Sequence, residues 1–319
     1  MINKESIRKI ISLLLLSFIL SSCNYKTDAA YPSNKAVIND SFIADDEEYI
    51  YISKDDHIYA VNKAANGAVD TGVKGNHLFY YKKYLYYQDK NNFYKIKAAG
   101  LVKENYKSIK AIFEKDVVIS EYTIIKDRIY YDTYYQQYLS SSDLDGKNAR
   151  HDINNKFVIG CDDKYIYMTD RIENGRHYIY RADDKNNGEY LFYIDILDVE
   201  VRFNHNYFFI MNDYLYYAGE NEKKSCVIRY YLAPDSSREI FYSSDDGSYI
   251  NIINVTSKYI YFFFADDHTA LYTLSRGGDL IKRGDLLNDD HYFYIDSYKE
   301  RIYLIDPGAL KIKSFWDFQ

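Results

Sequence analysis

The sequence predicts an all-β fold, a β-propeller of about seven four-stranded blades, with N- and C-terminal strands sharing one blade to close the ring. Three observations lead there. First, a tyrosine set among aliphatic or aromatic residues recurs at positions 51, 86, 130, 167, 216, 261 and 303, on average about 42 residues apart, which is blade spacing. A second apolar segment follows each one: Ile58-Tyr59, Phe93-Tyr94, Tyr138-Leu139, Tyr178-Ile179-Tyr180, Val227-Ile228, Leu271-Tyr272 and Leu310 to Ile312. Second, the anchors place apolar side chains at consecutive positions, where a strand with one wet face alternates apolar with polar. Both faces are then expected to be buried, as they are in a blade held between two neighbours. Third, the apolar runs are short, crowded with β-branched and aromatic residues, and bounded by Asp, Asn, Lys and Gly, so no long amphipathic helix is read.

Taken in order, residues 1–22 form an export signal. Lys4, Arg8 and Lys9 make a positive head, and the apolar run from Ile10 to Leu20 is too short for a stable membrane span. Its end, Leu20-Ser21-Ser22-Cys23, resembles the lipobox of bacterial lipoproteins. That resemblance implies that Cys23 is diacylated and becomes the mature N-terminus, a two-chain anchor of the stable kind. Residues 23–35 are the lipidated cysteine and a flexible tether, too poor in apolar residues to fold alone. Residues 36–319 are read as one propeller domain, a length ordinary for small repeated sheets.

Within the domain the fourth repeat is clearest, with strands expected near Lys156 to Gly160, Lys164 to Thr169, His177 to Ala182 and Glu189 to Ile194. The seventh repeat offers only three, near His291 to Ile295, Arg301 to Ile305 and Leu310 to Phe315. Ala36-Val37-Ile38 are expected to supply its fourth and cover an open edge. Glycine and proline are scarce, 14 and 3 residues, so turns are expected to rest on Asp and Asn. Asp145-Gly146, Asn187-Gly188 and Asp246-Gly247 read as hairpin turns.

Tyr167-Met168-Thr169-Asp170 with Tyr180-Arg181 resembles the Tyr-Trp-Thr-Asp repeat of low-density-lipoprotein-receptor-type propellers. It is more similar to the receptor-related propeller-like domain of unknown function found in Clostridia and related bacteria. The resemblance spans most of residues 41 to 315, and it implies six blades where the repeat count gives seven. It implies a surface location and leaves activity unassigned.

Composition narrows the partners. Lys and Arg number 40 against 47 Asp and Glu, a formal net charge of −7, and signal removal leaves the chain more acidic. A nucleic-acid partner is not expected, since no sustained basic patch remains to neutralise phosphates. Cys161 and Cys226 read as small buried hydrophobes and not as a disulfide. The Asp pairs at 45–46, 55–56, 162–163, 183–184, 245–246, 266–267 and 289–290 read as turns and not as calcium loops. The histidines are scattered, without zinc spacing, and no nucleophile elbow or phosphate loop is present. No metal or other cofactor is expected, and the protein is expected to be a monomer. Of the 39 tyrosines, most are expected at buried strand positions. Tyr134, Tyr135 and Tyr231 fall outside the repeat pattern and are candidates for stacking on sugars or peptides.

The candidate binding residues come from unequal loops. The connections after the second strand look longer in repeats four to six, so Asp170 to His177, Ala218 to Ser225 and Ala265 to Thr269 are expected to make one raised polar rim. It would carry Arg171, Glu173, Arg176, His177, Lys223, Lys224, Asp266, Asp267 and His268. The resulting reading is a membrane-anchored, extracytoplasmic binding or scaffolding lipoprotein for a protein, peptide or envelope glycan. The alternative is an exported polysaccharide or peptide hydrolase or lyase with its site at the propeller channel.

The anchor generates the first prediction. Replacing Cys23 by Ala should abolish incorporation of a fatty-acid analogue during growth; undiminished labelling of C23A would rule the anchor out.

Overall fold

The computed structural model describes residues 43–317 apart from 66, 91, 103–108, 114–118, 134–135, 155, 163, 171–174, 184–187, 196–207, 245–247, 257, 265–266, 286–291, 297–300 and 307–308. They form seven antiparallel sheets, six with four strands and the last with three, the β-propeller fold. Sheet 1 is β1 (Ile43–Asp45), β2 (Tyr49–Lys54), β3 (His57–Asn62) and β4 (Ala68–Lys74). Sheet 2 is β5 (Asn76–Tyr81), β6 (Tyr84–Asp89), β7 (Asn92–Lys97) and β8 (Lys110–Ala111), with a short helix α1 (Ala98–Leu101) before β8. Sheet 3 is β9 (Ile119–Ile125), β10 (Arg128–Thr133), β11 (Gln136–Asp143) and β12 (Arg150–Asn154). Sheet 4 is β13 (Lys156–Cys161), β14 (Ile166–Asp170), β15 (Arg176–Ala182) and β16 (Gly188–Asp195). Sheet 5 is β17 (Phe209–Met211), β18 (Tyr214–Asn221), β19 (Lys224–Tyr231) and β20 (Arg238–Ser243). Sheet 6 is β21 (Ile250–Val255), β22 (Tyr259–Phe264), β23 (Asp267–Ser275) and β24 (Leu280–Asp285). Sheet 7 is β25 (Tyr292–Asp296), β26 (Arg301–Asp306) and β27 (Lys311–Asp317). The segment expected to complete it, Ala36–Ile38, lies outside the described residues, as do the signal segment, Cys23 and the tether.

The chain groups into two compact units, one holding sheets 1, 2 and 7 and the other sheets 3 to 6. In the first, strand β2 of sheet 1 is buried on both faces. Ile50 and Ile52 turn toward Tyr303, Ile305 and Ile312 of sheet 7, while Tyr51 between them turns toward Leu78, Leu85 and Tyr87 of sheet 2. Lys63 adds a charged link, pairing with Asp45 with both side chains almost completely buried, donating to the Asp46 carbonyl at 2.8 Å and lying over the ring of Tyr303 at 5.5 Å. A buried pair of this kind is held by its extra hydrogen bond.

The second unit repeats the rule. In β14, Ile166 and Met168 pack with Ile125, Tyr130 and Leu139 of sheet 3, and Tyr167 packs with Leu215, Tyr217 and Ile228 of sheet 5. In β18 the faces divide again, with Tyr217 toward sheet 4 and Tyr216 toward Ile252, Ile260 and Phe262 of sheet 6. Strict period two with two buried faces explains why these segments read as continuous apolar runs. All seven anchor tyrosines are buried, none more than 6 % exposed.

A buried phenol needs a partner for its hydroxyl, and two sheets supply it identically. Asp46 accepts the backbone N–H groups of Glu48 and Tyr49 on Oδ1, at 2.8 Å each, and the Tyr51 hydroxyl on Oδ2 at 2.6 Å. Asp162 accepts those of Lys164 and Tyr165 at 2.7 and 2.6 Å, and the Tyr167 hydroxyl at 2.5 Å. One carboxylate thus closes the turn into the second strand and satisfies the anchor two residues inside it. The aspartates of these two pairs that were expected in turns are there for this reason.

Turn chemistry is broader than expected from Asp and Asn. Asp55-Asp56, Lys82-Lys83, Lys126-Asp127, Asn212-Asp213 and Glu222-Lys223 each occupy a two-residue hairpin turn with both φ positive, the twist that matches the strands it joins. Lys82-Lys83 and Glu222-Lys223 adopt it without the usual Asn or Gly. Asp145-Gly146 is a turn as expected, with Gly146 at φ 75 and its N–H donating to the Asp143 carbonyl.

One glycine is required by packing. A Cβ on Gly160, at the bulge between Val158 and Gly160 in β13, would lie 2.2 Å from Ile210 Cδ1 and 2.9 Å from its Cβ in β17. The absent side chain lets the first strands of sheets 4 and 5 approach closely.

Tyr167 gathers these effects in one side chain. Tyr167→Ala should cost about 3 to 5 kcal/mol by opening a cavity between sheets 4 and 5, with Asp162 left without its phenol partner. Urea denaturation measures it, and a loss below about 1 kcal/mol would contradict this packing.

Candidate functional site

In sheets 5 and 6 the rim expected from loop length is not built from long loops. Ala218 to Ser225 lies in β18 and β19, which stay in register out to Asn221 opposite Lys224, leaving only Glu222-Lys223 as the turn. Phe264 pairs with Asp267 in sheet 6, so that connection is also two residues long. In sheet 5 the extra chain length goes into a longer ribbon, paired through the backbone of an almost wholly polar stretch; in sheet 6 it goes into an irregularity between Phe262, opposite Tyr272, and Phe264, opposite Asp267. Lys223 and Lys224 are exposed at the tip of sheet 5. Arg171, Glu173 and Asp266 lie outside the described residues; Asp267 and His268 begin β23, and their side chains are outside the description. His177 is corrected outright. It faces the buried side of β15, 5 % exposed, with Nδ1 3.4 Å from Thr169 Oγ1 and its ring edge-on to Phe208. Its neighbour Arg176 takes the outward phase, as alternation along a strand demands.

Arg176 opens the surface that loop counting missed. At the outer edge of sheet 4, on the side of β15 that continues toward sheet 3, it is followed by Tyr178 and Tyr180, the latter packing on the core with Ile166 and Met168, and opposite them on β16 stand Asp195, Tyr193 and Tyr190. Tyr190 and Tyr193 are three residues apart and strict alternation would set them on opposite faces. A bulge between Ile179 and Tyr180 in the β15–β16 register places Leu191 as the extra residue. Leu191 and Phe192 both turn into the core at 0 and 4 % exposure, while Tyr190 and Tyr193 emerge at 42 and 39 %. Re-aiming side chains is what a bulge does.

The result is a cluster of four phenols. Tyr178 lies 6.1 Å from Tyr190 and 6.2 Å from Tyr193, and Tyr180 lies 5.9 Å from Tyr190, with interplanar angles of 52° to 67°. Cations cover two of the rings. The Arg176 guanidinium is 4.0 Å above Tyr193 and its Nε donates to Asp195 at 2.8 Å. The Lys156 ammonium is 3.4 Å from the Tyr180 centroid and 3.4 Å from Asp170 Oδ2. Asp170 also accepts the Tyr178 N–H and the Tyr180 hydroxyl, each at 3.1 Å. Each cation therefore has its own carboxylate, and Asp235, whose N–H donates to the Leu191 carbonyl at 3.0 Å, adds a negative charge felt at Tyr190. Burial, followed by the Asp170 charge, pushes the Tyr180 phenol up to about 12, and the Asp195 hydrogen bond holds the Arg176 guanidinium above its ordinary range.

The other face of sheet 4, and sheet 5, carry arginines on rings in a different arrangement. Arg181 stacks on Tyr165 at 4.5 Å and pairs with Glu189 at 2.6 Å; Arg229 stacks on both Tyr214 and Phe241 at 4.5 Å and pairs with Glu239 at 2.6 Å. Here the arginines are covered, and Arg181 reaches the Leu232 carbonyl of sheet 5 at 3.3 Å. They tie strands and blades together. Tyr231, singled out by sequence, is half exposed beside Tyr214 at 5.4 Å, while Tyr134 and Tyr135 lie outside the described residues. Among the described residues no group of three His, Cys, Asp or Glu side chains is placed to hold a metal ion, and no helix is long and apolar enough to cross a membrane. Cys161 and Cys226 are buried and not joined in a disulfide.

The sequence matches no protein-family model and none of the curated proteins. Solved structures are similar in fold. The uncharacterized protein lmo1340 from Listeria monocytogenes EGD-e is 9 % identical over 93 % of this chain and 96 % of that one, with a TM-score of 0.51. Streptogramin B lyase is 11 % identical over 90 % and 96 %, with a TM-score of 0.50. PorZ, a surface component of the type-IX secretion system of Porphyromonas gingivalis, is 13 % identical over 90 % of this chain, which spans only 37 % of PorZ, with a TM-score of 0.49. At such identities the likeness is one of fold.

The buried phenols set a pH dependence. Tyr51 and Tyr167 are raised by burial and then by their aspartates, as Tyr180 is by Asp170. Unfolded tyrosines ionise near about 10, so above that pH the unfolded chain binds fewer protons than the native one and stability falls as pH rises. Below it the contribution of these groups is fully present. Denaturant midpoints should drop between pH 10 and about 12, and Tyr180→Phe should make the drop shallower; an identical slope in Y180F would contradict the assignment.

Proposed function

We propose that this chain is an extracytoplasmic binding lipoprotein, held at the membrane through Cys23, whose propeller presents the outer edge of sheet 4 to a component of the cell envelope. The observation that carries the reading is the tyrosine cluster of β15 and β16. In a protein that buries its seven anchor tyrosines, Tyr190 and Tyr193 are brought to the surface together by a bulge, beside Arg176 and Asp195. Exposed aromatics on a rigid scaffold, flanked by polar groups that are already oriented, suit recognition. The likeness of Tyr167 to Asp170 to receptor-type propeller repeats supports the same reading, as does the expected export signal.

Binding at this face makes the expected outcome specific. Full-length protein in detergent should capture an envelope component from solubilised cells, and Tyr190→Ala with Tyr193→Ala should lose that capture at an unchanged melting temperature. Equal capture by the folded double variant would remove sheet 4 from the reading.

A further inference from the structure

We infer that the outer edge of sheet 4 is a saccharide subsite, taking an uncharged pyranose across Tyr190 and Tyr193 with its hydroxyls on the Arg176–Asp195 pair. The inference deepens the proposed binding function and rests on it. It starts from charge. Arg176 is matched by Asp195 at 2.8 Å and Lys156 by Asp170 at 3.4 Å, and Asp235, held beside β16 by its N–H on the Leu191 carbonyl, adds negative charge at Tyr190, so no cation is left over to gather an acidic ligand on this face. Its ring faces are apolar, and Tyr190 and Tyr193 keep 42 and 39 % of their surface open to solvent.

A pyranose has the complementary construction. One face presents C–H groups that pack on a phenol ring, and its edge carries hydroxyls that each donate one hydrogen bond and accept another. Arg176 offers donors and Asp195 acceptors side by side, so neighbouring hydroxyls can accept from the guanidinium while donating to the carboxylate. Both side chains are partly open, 40 and 45 % exposed. Arg176 is also fixed in place, stacked 4.0 Å over Tyr193, which reduces the ordering that binding requires. The phenols are set at 52° to 67° to one another. Rings so tilted make a stepped surface that follows a puckered sugar, whereas a proline-rich peptide docks into aromatic-lined grooves.

The test is affinity electrophoresis of the full-length protein in gels containing one polysaccharide each: hydroxyethylcellulose, soluble starch, mannan, polygalacturonate, or none. Retardation by at least one of the three neutral polymers is expected, weakened about tenfold by Tyr193→Ala and by Tyr190→Ala and retained on replacing the exposed Tyr249 by Ala, all at unchanged melting temperature. No retardation by any neutral polymer, retardation by polygalacturonate alone, or retardation that survives the folded double variant would overturn the saccharide assignment. Capture of envelope material that needs Tyr190 and Tyr193, without retardation by neutral polymers, would overturn the ligand class and leave the binding reading standing. Loss of both would overturn both. A proline-rich peptide competing for that capture would identify the occupant as protein.

Discussion

A tyrosine buried on a sheet with two covered faces has nowhere to send its hydroxyl except into the protein, and the rest of the architecture follows from that. Leaving such a group unmet costs on the order of 1 to 3 kcal/mol. In sheets 1 and 4 the answer is an aspartate five residues upstream, whose second oxygen simultaneously binds two backbone N–H groups of the turn. The turn, the strand entry and the phenol are therefore fixed as one object. With the tyrosine pinned, the residues on either side of it must face the opposite neighbour, and the interdigitation of sheets 1, 2 and 7, and of sheets 3 to 6, is set.

This coupling explains which features were legible in the sequence. Continuous apolar runs around Tyr167 located β13 to β16 to within about two residues at each end, and Arg301 opened β26 as expected, because double-sided burial writes itself into every position. His177 was misjudged for the same reason that its neighbours were judged well. A histidine at a strand start looks like loop chemistry, yet alternation from Ile179 turns it inward. The short turn of sheet 5 is hidden in the sequence because Ala218 to Ser225 is almost wholly polar, and polar residues can pair through their backbones with no apolar pattern to mark it. The surface of sheet 4 was invisible, since a spacing of three between Tyr190 and Tyr193 signals neither face of a regular strand. Only the extra residue in the register, which no local composition announces, puts them together. Lys82-Lys83 likewise has none of the residues that usually mark its turn.

Cations on aromatic rings serve two ends in this protein, and the difference lies in cover. Arg229 is held between two rings, with its glutamate on the adjacent strand; such a stack is a cross-strand contact worth roughly 0.2 to 1 kcal/mol. Lys63 over Tyr303 is nearly sealed and joins sheet 1 to sheet 7. Arg176 over Tyr193 has the same geometry with both partners open to water, so the interaction orients the side chains without consuming their hydrogen-bonding capacity.

The bulge at Leu191 has counterparts in the outermost strand pairs of the next two sheets, between Val227 and Ile228 in β19 and between Leu271 and Tyr272 in β23. At each, one extra residue uncouples the inner half of the strand from the outer half. Sheet 5 brings Ile240 outward there and sheet 6 brings Ile281 outward, while the cores beneath remain aliphatic and aromatic. Such a hinge in the register makes evolutionary change modular. New surface residues can be tried at the rim of one blade without disturbing the frame that the anchor tyrosine holds, so specificity can diverge faster than the fold that carries it.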